Sequence, residues 1–276
     1  MCIAYGFSPD SDSSDDMKPQ LNVSADDREL NKQLCTYIHE KLTYLLEQTG
    51  IISIGVSGGS MPKVFSKAFL HVTSEIRNLN WKRIRIFMVD ERNVEIEDED
   101  SNLGAYLKLF PEELHEIFVP FPYHKDVRHS AREYELNLRK YLLPEQLNNI
   151  ARFDMLFLGV GPDGHTASIF PGRERLEKVN ELNWVGAVSE SPKPPPSRVT
   201  LTLQCIQHAK NTAFIISGRQ KAEIVRGIWH RDFKYPAAQA RPYNGKLTLF
   251  VDEEAAVGIP NPESGSESDS TPPPLG

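Results

Sequence analysis

His165 stands in GVGPDGHTASIFPG, residues 159–172, where an apolar run stops and glycines, one acid (Asp163) and a threonine surround a lone imidazole. An imidazole titrates near neutrality, so at a turn beyond a strand it can take a proton from water and give it back. Metal binding is not indicated, because no other His or Cys lies at ligand spacing from it. The plain alternative is a hydrogen-bonded structural histidine, and the choice depends on what the rest of the chain brings to the same place. The other seven histidines (39, 71, 115, 124, 129, 208 and 230) follow no motif and are read as surface or packing residues.

Four further stretches offer partners. In VSGGSMPK (56–63), Gly58 and Gly59 permit a tight turn and close backbone approach, Ser60 can cap a helix, and Pro62 is tolerated in its first turn. Such a helix end presents free N–H groups to an anion. The stretch matches neither G-x-G-x-x-G nor G-x-x-x-x-G-K-[ST], so dinucleotide or triphosphate binding is not indicated, and an ordinary Gly-rich turn is the bland reading. VDERNVEIEDEDSN (89–102) puts Asp90 and Arg92 at a strand end and then runs into acids at 95–100 that read as solvated surface. SPKPPPSRVTLT (191–202) is either a polyproline ligand or a rigid loop that fixes Arg198; its place inside the fold pattern favours the loop. SGRQKAE (217–223) carries Lys221 into a helical first turn, where a cation gains nothing from the dipole unless an anion sits between them.

The elements that must hold these residues alternate. Residues 26–48 place Leu30, Leu34, Ile38, Leu42, Leu45 and Leu46 on one helical face, and 61–77, 129–142 and 219–229 also read as helices. Strands are expected at 51–57, 84–90, 153–160, 184–189, 212–217 and 246–252. This alternation predicts an α/β fold: a mostly parallel, Rossmann-like sheet with helices on both faces, its site beyond the carboxyl ends of the strands.

Composition bounds the rest. A hydrophobic fraction of 39% with 25% charged residues fits a soluble globular chain. Residues 1–20 and 260–276 read as disordered acidic or Pro/Ser-rich tails around a single domain at 21–259. Seven acids near the ends account for the whole formal charge of −7, and a neutral body argues against a nucleic-acid partner. Cys2, Cys35 and Cys205 form neither a disulfide framework nor a zinc pattern. No apolar run approaches a membrane span, and the start lacks signal-peptide features, so a cytoplasmic protein with no membrane partner is expected. A monomer is the separate expectation for its assembly.

Taken together, Ser57–Ser60, Asp90-Glu91-Arg92, the 159–166 turn, SPKPPPSRVTLT and Gly218–Ala222 resemble the 6-phosphogluconolactonase family, in order, over residues 24–255. The resemblance implies a fold like the related glucosamine-6-phosphate deaminases and hydrolysis of 6-phospho-D-glucono-1,5-lactone, with no metal or other cofactor. It implies His165 as the proton-transfer residue, with Asp163, Asp90 and Arg92 in the catalytic group. Arg198 and Lys221, with Gly58, Gly59 and Ser60, become the phosphate clamp. Val89 departs from the small residue frequent before this Asp-Glu-Arg and would crowd the pocket slightly. Two rivals are a deaminase-like isomerase and a sugar-phosphate-binding module without turnover. The first needs an acid soon after the histidine, and none occurs before Glu174; the second lacks a joined DNA-binding segment.

Overall fold

Ile52–Val56 is a strand buried at all five positions, as expected where both faces of a parallel sheet are covered. The computed structural model describes residues 18–48, 50–142, 150–172, 177–178 and 184–260. The elements run β1 (Gln20–Ser24), α1 (Asp27–Glu47), β2 (Ile52–Val56), α2 (Met61–Glu75), β3 (Ile84–Met88), β4 (Asp90–Arg92), α3 (Asn102–Leu107) and α4 (Val127–Arg139). There follow β5 (Met155–Leu158), β6 (Glu177–Lys178), β7 (Val185–Val188), β8 (Arg198–Leu201), α5 (Leu203–Gln207), β9 (Asn211–Ile216), α6 (Ala222–His230), α7 (Pro236–Gln239) and β10 (Lys246–Asp252).

Six strands form a parallel sheet in the order β1-β10-β9-β5-β2-β3. The register puts Val56, Met88 and Phe157 on one face, where Phe157 meets Tyr37 of α1 and Phe65 of α2 at ring-centroid distances of 6.2 and 4.9 Å. Phe87 points the other way, onto Phe153 and Tyr141. From β2 the chain goes to β3 on one side and returns through β5 to β9 and β10 on the other. The carboxyl ends of β2 and β5 therefore flank the point where the connections diverge, which is where an open α/β sheet forms its crevice.

A second, antiparallel sheet, β4-β8-β7-β6, stands beside the first. It corrects the sequence reading. WVGAVS joins this sheet rather than the parallel one, because a short apolar run looks the same in either. Asp90 does not end the strand that begins at Ile84: that strand stops at Met88, and Asp90–Arg92 belongs to the other sheet. Val89 makes the transfer, its N–H donating to Val56 O (2.9 Å) and its carbonyl accepting from Leu201 N (2.7 Å). The expected N-terminal tail overlaps an edge strand, since Gln20 pairs with Thr248; residues 1–17 and 261–276 of the two tails lie outside the described residues.

Helix α4 holds the two sheets together. Tyr134 Oη donates to Met88 O (2.8 Å) at the end of β3. Glu135, fully buried, accepts from the N–H groups of Trp184 and Val185 at 3.2 Å each and from Arg139, whose guanidinium lies 3.9 Å over the Trp184 ring. Replacing this carboxylate would leave two buried amides and a cation without their acceptor. Glu135→Ala is expected to lower unfolding free energy by about 3 kcal/mol, read from urea denaturation; a loss below about 1 kcal/mol would mean that water or another acceptor takes its place.

Candidate active site

The β2–α2 turn builds one wall of the site. Gly59 has φ +69°, and a Cβ on Gly58 would sit 1.9 Å from Asn102 Oδ1, so both positions require glycine. Ser60 does not cap α2: its backbone is already helical (φ −79°, ψ −16°), whereas a capping side chain needs an extended backbone to reach back. Its neighbour Ser57 has a buried Oγ with no hydrogen-bond partner among the described residues, while its carbonyl accepts from Tyr106 Oη (2.8 Å).

The antiparallel sheet supplies a second wall. Register pairs Arg92 with Arg198 and Asp90 with Thr200, so these four side chains share one face. Asp90 is buried and accepts from Ser168 Oγ (2.8 Å). Glu91 points to the other face, where its carboxylate accepts from the N–H groups of Arg92, Asn102 and Leu103 at 2.7 Å and caps α3. Burial outweighs those three donors and raises its pKa to about 7. Asn102, thus placed, donates from Nδ2 to Asp90 O (2.9 Å).

Arg92 gives Nη1 to Asp100 O (3.3 Å) and stands 3.7 Å from that residue's carboxylate, so the exposed 95–100 stretch is more than surface elaboration. Its Nε is buried and unpartnered among the described residues. The Arg198 guanidinium is held by the Pro-rich loop, donating to the carbonyls of Lys193 (3.2 Å), Pro194 (2.8 Å) and Pro195 (3.1 Å). Burial, and then the charge of Arg92, push its pKa below the usual guanidinium value. Burial does the same to Lys221, the residue just before α6.

His165 follows β5 in the turn closed by Gly164 (φ +82°). Its Nδ1 hydrogen-bonds Asp163 Oδ1, and its ring lies on Phe170 at 4.7 Å between centroids. With Nδ1–H donating to the carboxylate, Nε2 is left as the acceptor nitrogen. Burial depresses the His165 pKa although Asp163 works to raise it, so the imidazole is neutral near pH 7. Asp163 stays ionised: burial alone would raise its pKa, but His165 and Lys193 together bring it below the ordinary value.

These parts line one open cleft of about 180 Å³, to which Gly58, Gly59, Ser60, Asp90, Arg92, His165, Arg198 and Lys221 all contribute. Asp163 touches it through His165. Ser57 and Asn102 also line it; the sequence motifs contained both but gave neither a role. Val89 does not line it; the residue is fully buried, with its side chain beside Gly55, so it causes no crowding. Among the described residues no group of three or more His, Cys, Asp or Glu could hold a metal ion, and no helix is long and apolar enough to cross a membrane.

The class is thus an α/β protein with a cation-rich polar cleft and a neutral imidazole at a topological switch point. Residues 25–249 match the family model described as glucosamine-6-phosphate isomerases/6-phosphogluconolactonase, and the chain belongs to that family. It is 67% identical over 273 residues to a Caenorhabditis elegans protein named "Putative 6-phosphogluconolactonase", with 99% of each chain covered. It is 32% identical to the Rattus norvegicus 6-phosphogluconolactonase, over 86% of this chain and 92% of that one. The solved 6-phosphogluconolactonase of Trypanosoma brucei superposes with a TM-score of 0.73 at 29% identity, covering 88% of this chain and 99% of that one.

The wall formed by Gly58 has no room for a methyl group. Gly58→Ala is expected to displace Asn102, costing about 1–3 kcal/mol as overpacking does and lowering Tm in a thermal melt. An unchanged Tm would mean that the Asn102 side chain moves away freely.

Proposed function

We propose that this chain is a 6-phosphogluconolactonase that hydrolyses 6-phospho-D-glucono-1,5-lactone to 6-phosphogluconate, the second step of the oxidative pentose phosphate pathway. The observation that carries this reading is a neutral, Asp163-oriented His165 in the same cleft as three incompletely neutralised cations, Arg92, Arg198 and Lys221. The names of the relatives support the same substrate.

A δ-lactone is an activated ester, so a covalent nucleophile and a metal are both unnecessary. Water gives a proton to His165 Nε2 as its oxygen bonds to C1, and the carbonyl electrons move onto oxygen. Collapse of that oxyanion breaks the bond from C1 to the ring oxygen, which takes the proton from Nε2. The backbone N–H groups near Gly58 and Gly59, or Arg92, are the donors for the oxyanion. Like charges directly opposite on a sheet repel, so the Arg92–Arg198 pair calls for an anion, and a phosphate dianion beside Arg198, Lys221 and the Gly58–Ser60 turn answers it. Binding energy from that remote group would orient the reacting carbon. The unpartnered Ser57 Oγ and Arg92 Nε add donors for the sugar phosphate. The segment after His165 lays Phe170, not a second acid, on the imidazole, which favours hydrolysis over isomerisation with deamination.

Hydrolysis of the phosphorylated lactone, corrected for its spontaneous opening, tests the reading directly; a wild-type rate equal to background would refute it. His165→Ala is expected to lose ~10²–10⁴-fold in turnover and still bind 6-phosphogluconate by calorimetry. Because the base works when neutral and burial lowers its pKa, the acid limb of kcat/KM is expected below the ordinary imidazole range. Arg198→Ala and Lys221→Ala are each expected to weaken 6-phosphogluconate binding roughly ten- to a hundred-fold. Turnover of unphosphorylated gluconolactone should barely change in these variants. Equal losses on both substrates would mean that the two cations serve the fold or the chemistry, not the phosphate.

A further inference from the structure

Lys193 has no part in the reading above, yet its ammonium stands within hydrogen-bond distance of both members of the His165–Asp163 pair. Its Nζ stands 3.3 Å from Asp163 Oδ1 and 3.2 Å from His165 Nδ1. The loop delivers it there. Prolines 194–196 follow it directly, its N–H donates to Ser191 Oγ (3.2 Å), and its carbonyl is gripped by Arg198. An ammonium and an Nδ1–H cannot donate to each other, so the lysine proton goes to the carboxylate oxygen that the imidazole also uses. The lysine and aspartate side chains are 39% and 36% exposed, and an ion pair that open to water contributes little to stability. Its position therefore bears on His165 rather than on the fold.

We propose that Lys193 is a positioning residue for proton transfer: sharing Asp163 Oδ1 with His165, it anchors the carboxylate that sets the Nδ1–H tautomer, and its charge disfavours the imidazolium. Two consequences follow. Before reaction, the repulsion keeps Nε2 unprotonated and able to accept from water. After attack, the imidazolium that has just formed is pressed to release its proton to the departing ring oxygen. The charges that act most on His165 are Asp163 from its own turn, Lys193 from the Pro-rich loop and Asp90 from β4, while Arg92, Arg198 and Lys221 line the same cleft. Burial is the main cause of the depressed His165 pKa; of the first three charges the two carboxylates favour the charged ring and Lys193 alone opposes it. Because Arg198 holds the carbonyls of residues 193–195, the same loop joins the proposed phosphate contact to the base.

The inference rests on His165 being the base, and its test separates the two. The His165 ring would be titrated by NMR in the free, folded wild type and in K193M, K193Q and K193R, and kcat/KM followed against pH with the phosphorylated lactone. K193M and K193Q are expected to melt close to wild type but to titrate His165 at higher pH. The acid limb of kcat/KM should move up with it, so that the rate falls severalfold at about pH 6 and little at about pH 8.5. K193R, which keeps the charge, is expected to restore both. A His165 titration that stays in place or moves down in the neutral variants overturns the proposal, as does a rate loss equal at every pH. If the titration moves as expected but wild type shows no lactone turnover, the control of His165 stands and the lactonase reading fails.

Discussion

The two backbone bonds of Val89 are the constraint on which the rest of the site depends. Its N–H is committed to β2 of the parallel sheet and its carbonyl to β8 of the antiparallel one, so a single residue passes the chain between them. The residues just beyond it are thereby carried to the switch point. Asp90 and Arg92 face the cleft, and Glu91 faces away into α3 because side chains alternate along a strand. The parallel sheet contributes turns and helix ends, and the antiparallel sheet contributes the paired arginines. Neither sheet would make the cleft alone.

Charge is divided between the two faces of β4. On the inner face the carboxylate of Glu91 meets only amide N–H groups, and burial leaves it near pKa 7, close to losing its charge. On the outer face two guanidinium groups lie opposite each other with Asp100 and Asp90 as partial counter-charges. This separation leaves the cleft cationic without placing an unpaired carboxylate beside the arginines. It also explains why α3, only six residues long, is fastened so closely: its amides are what Glu91 binds.

Much of the site was legible because its parts are local. The 159–166 turn carries both members of the His165–Asp163 pair, and the Gly58-Gly59 turn, the Pro-rich run and Lys221 each announce themselves within a few residues. What could not be read depends on pairing at a distance. Asn102 matters only because Glu91 holds its amide from 11 residues away, and Lys193 matters only because its loop folds across the turn of a different strand. The sequence context of each (DSN opening a short helix, SPKPPP) is compatible with solvent. The parallel core was readable from its buried β-branched runs, but WVGAVS was placed in the wrong sheet because hydrophobic periodicity records burial, not strand direction. Ser60 shows the reverse error: a residue type that favours caps, in a backbone already helical.

The edge strand β1 bears on how the molecule can be tethered. It runs parallel to β10, with Gln20 opposite Thr248 and Ser24 opposite Asp252, so its first residue lies at the end of the sheet remote from the cleft. Five residues of strand put roughly 16 Å between the two ends. A surface anchor or fusion partner joined ahead of Gln20 thus approaches the molecule from its blind side, and substrate diffusing to His165 need not pass it.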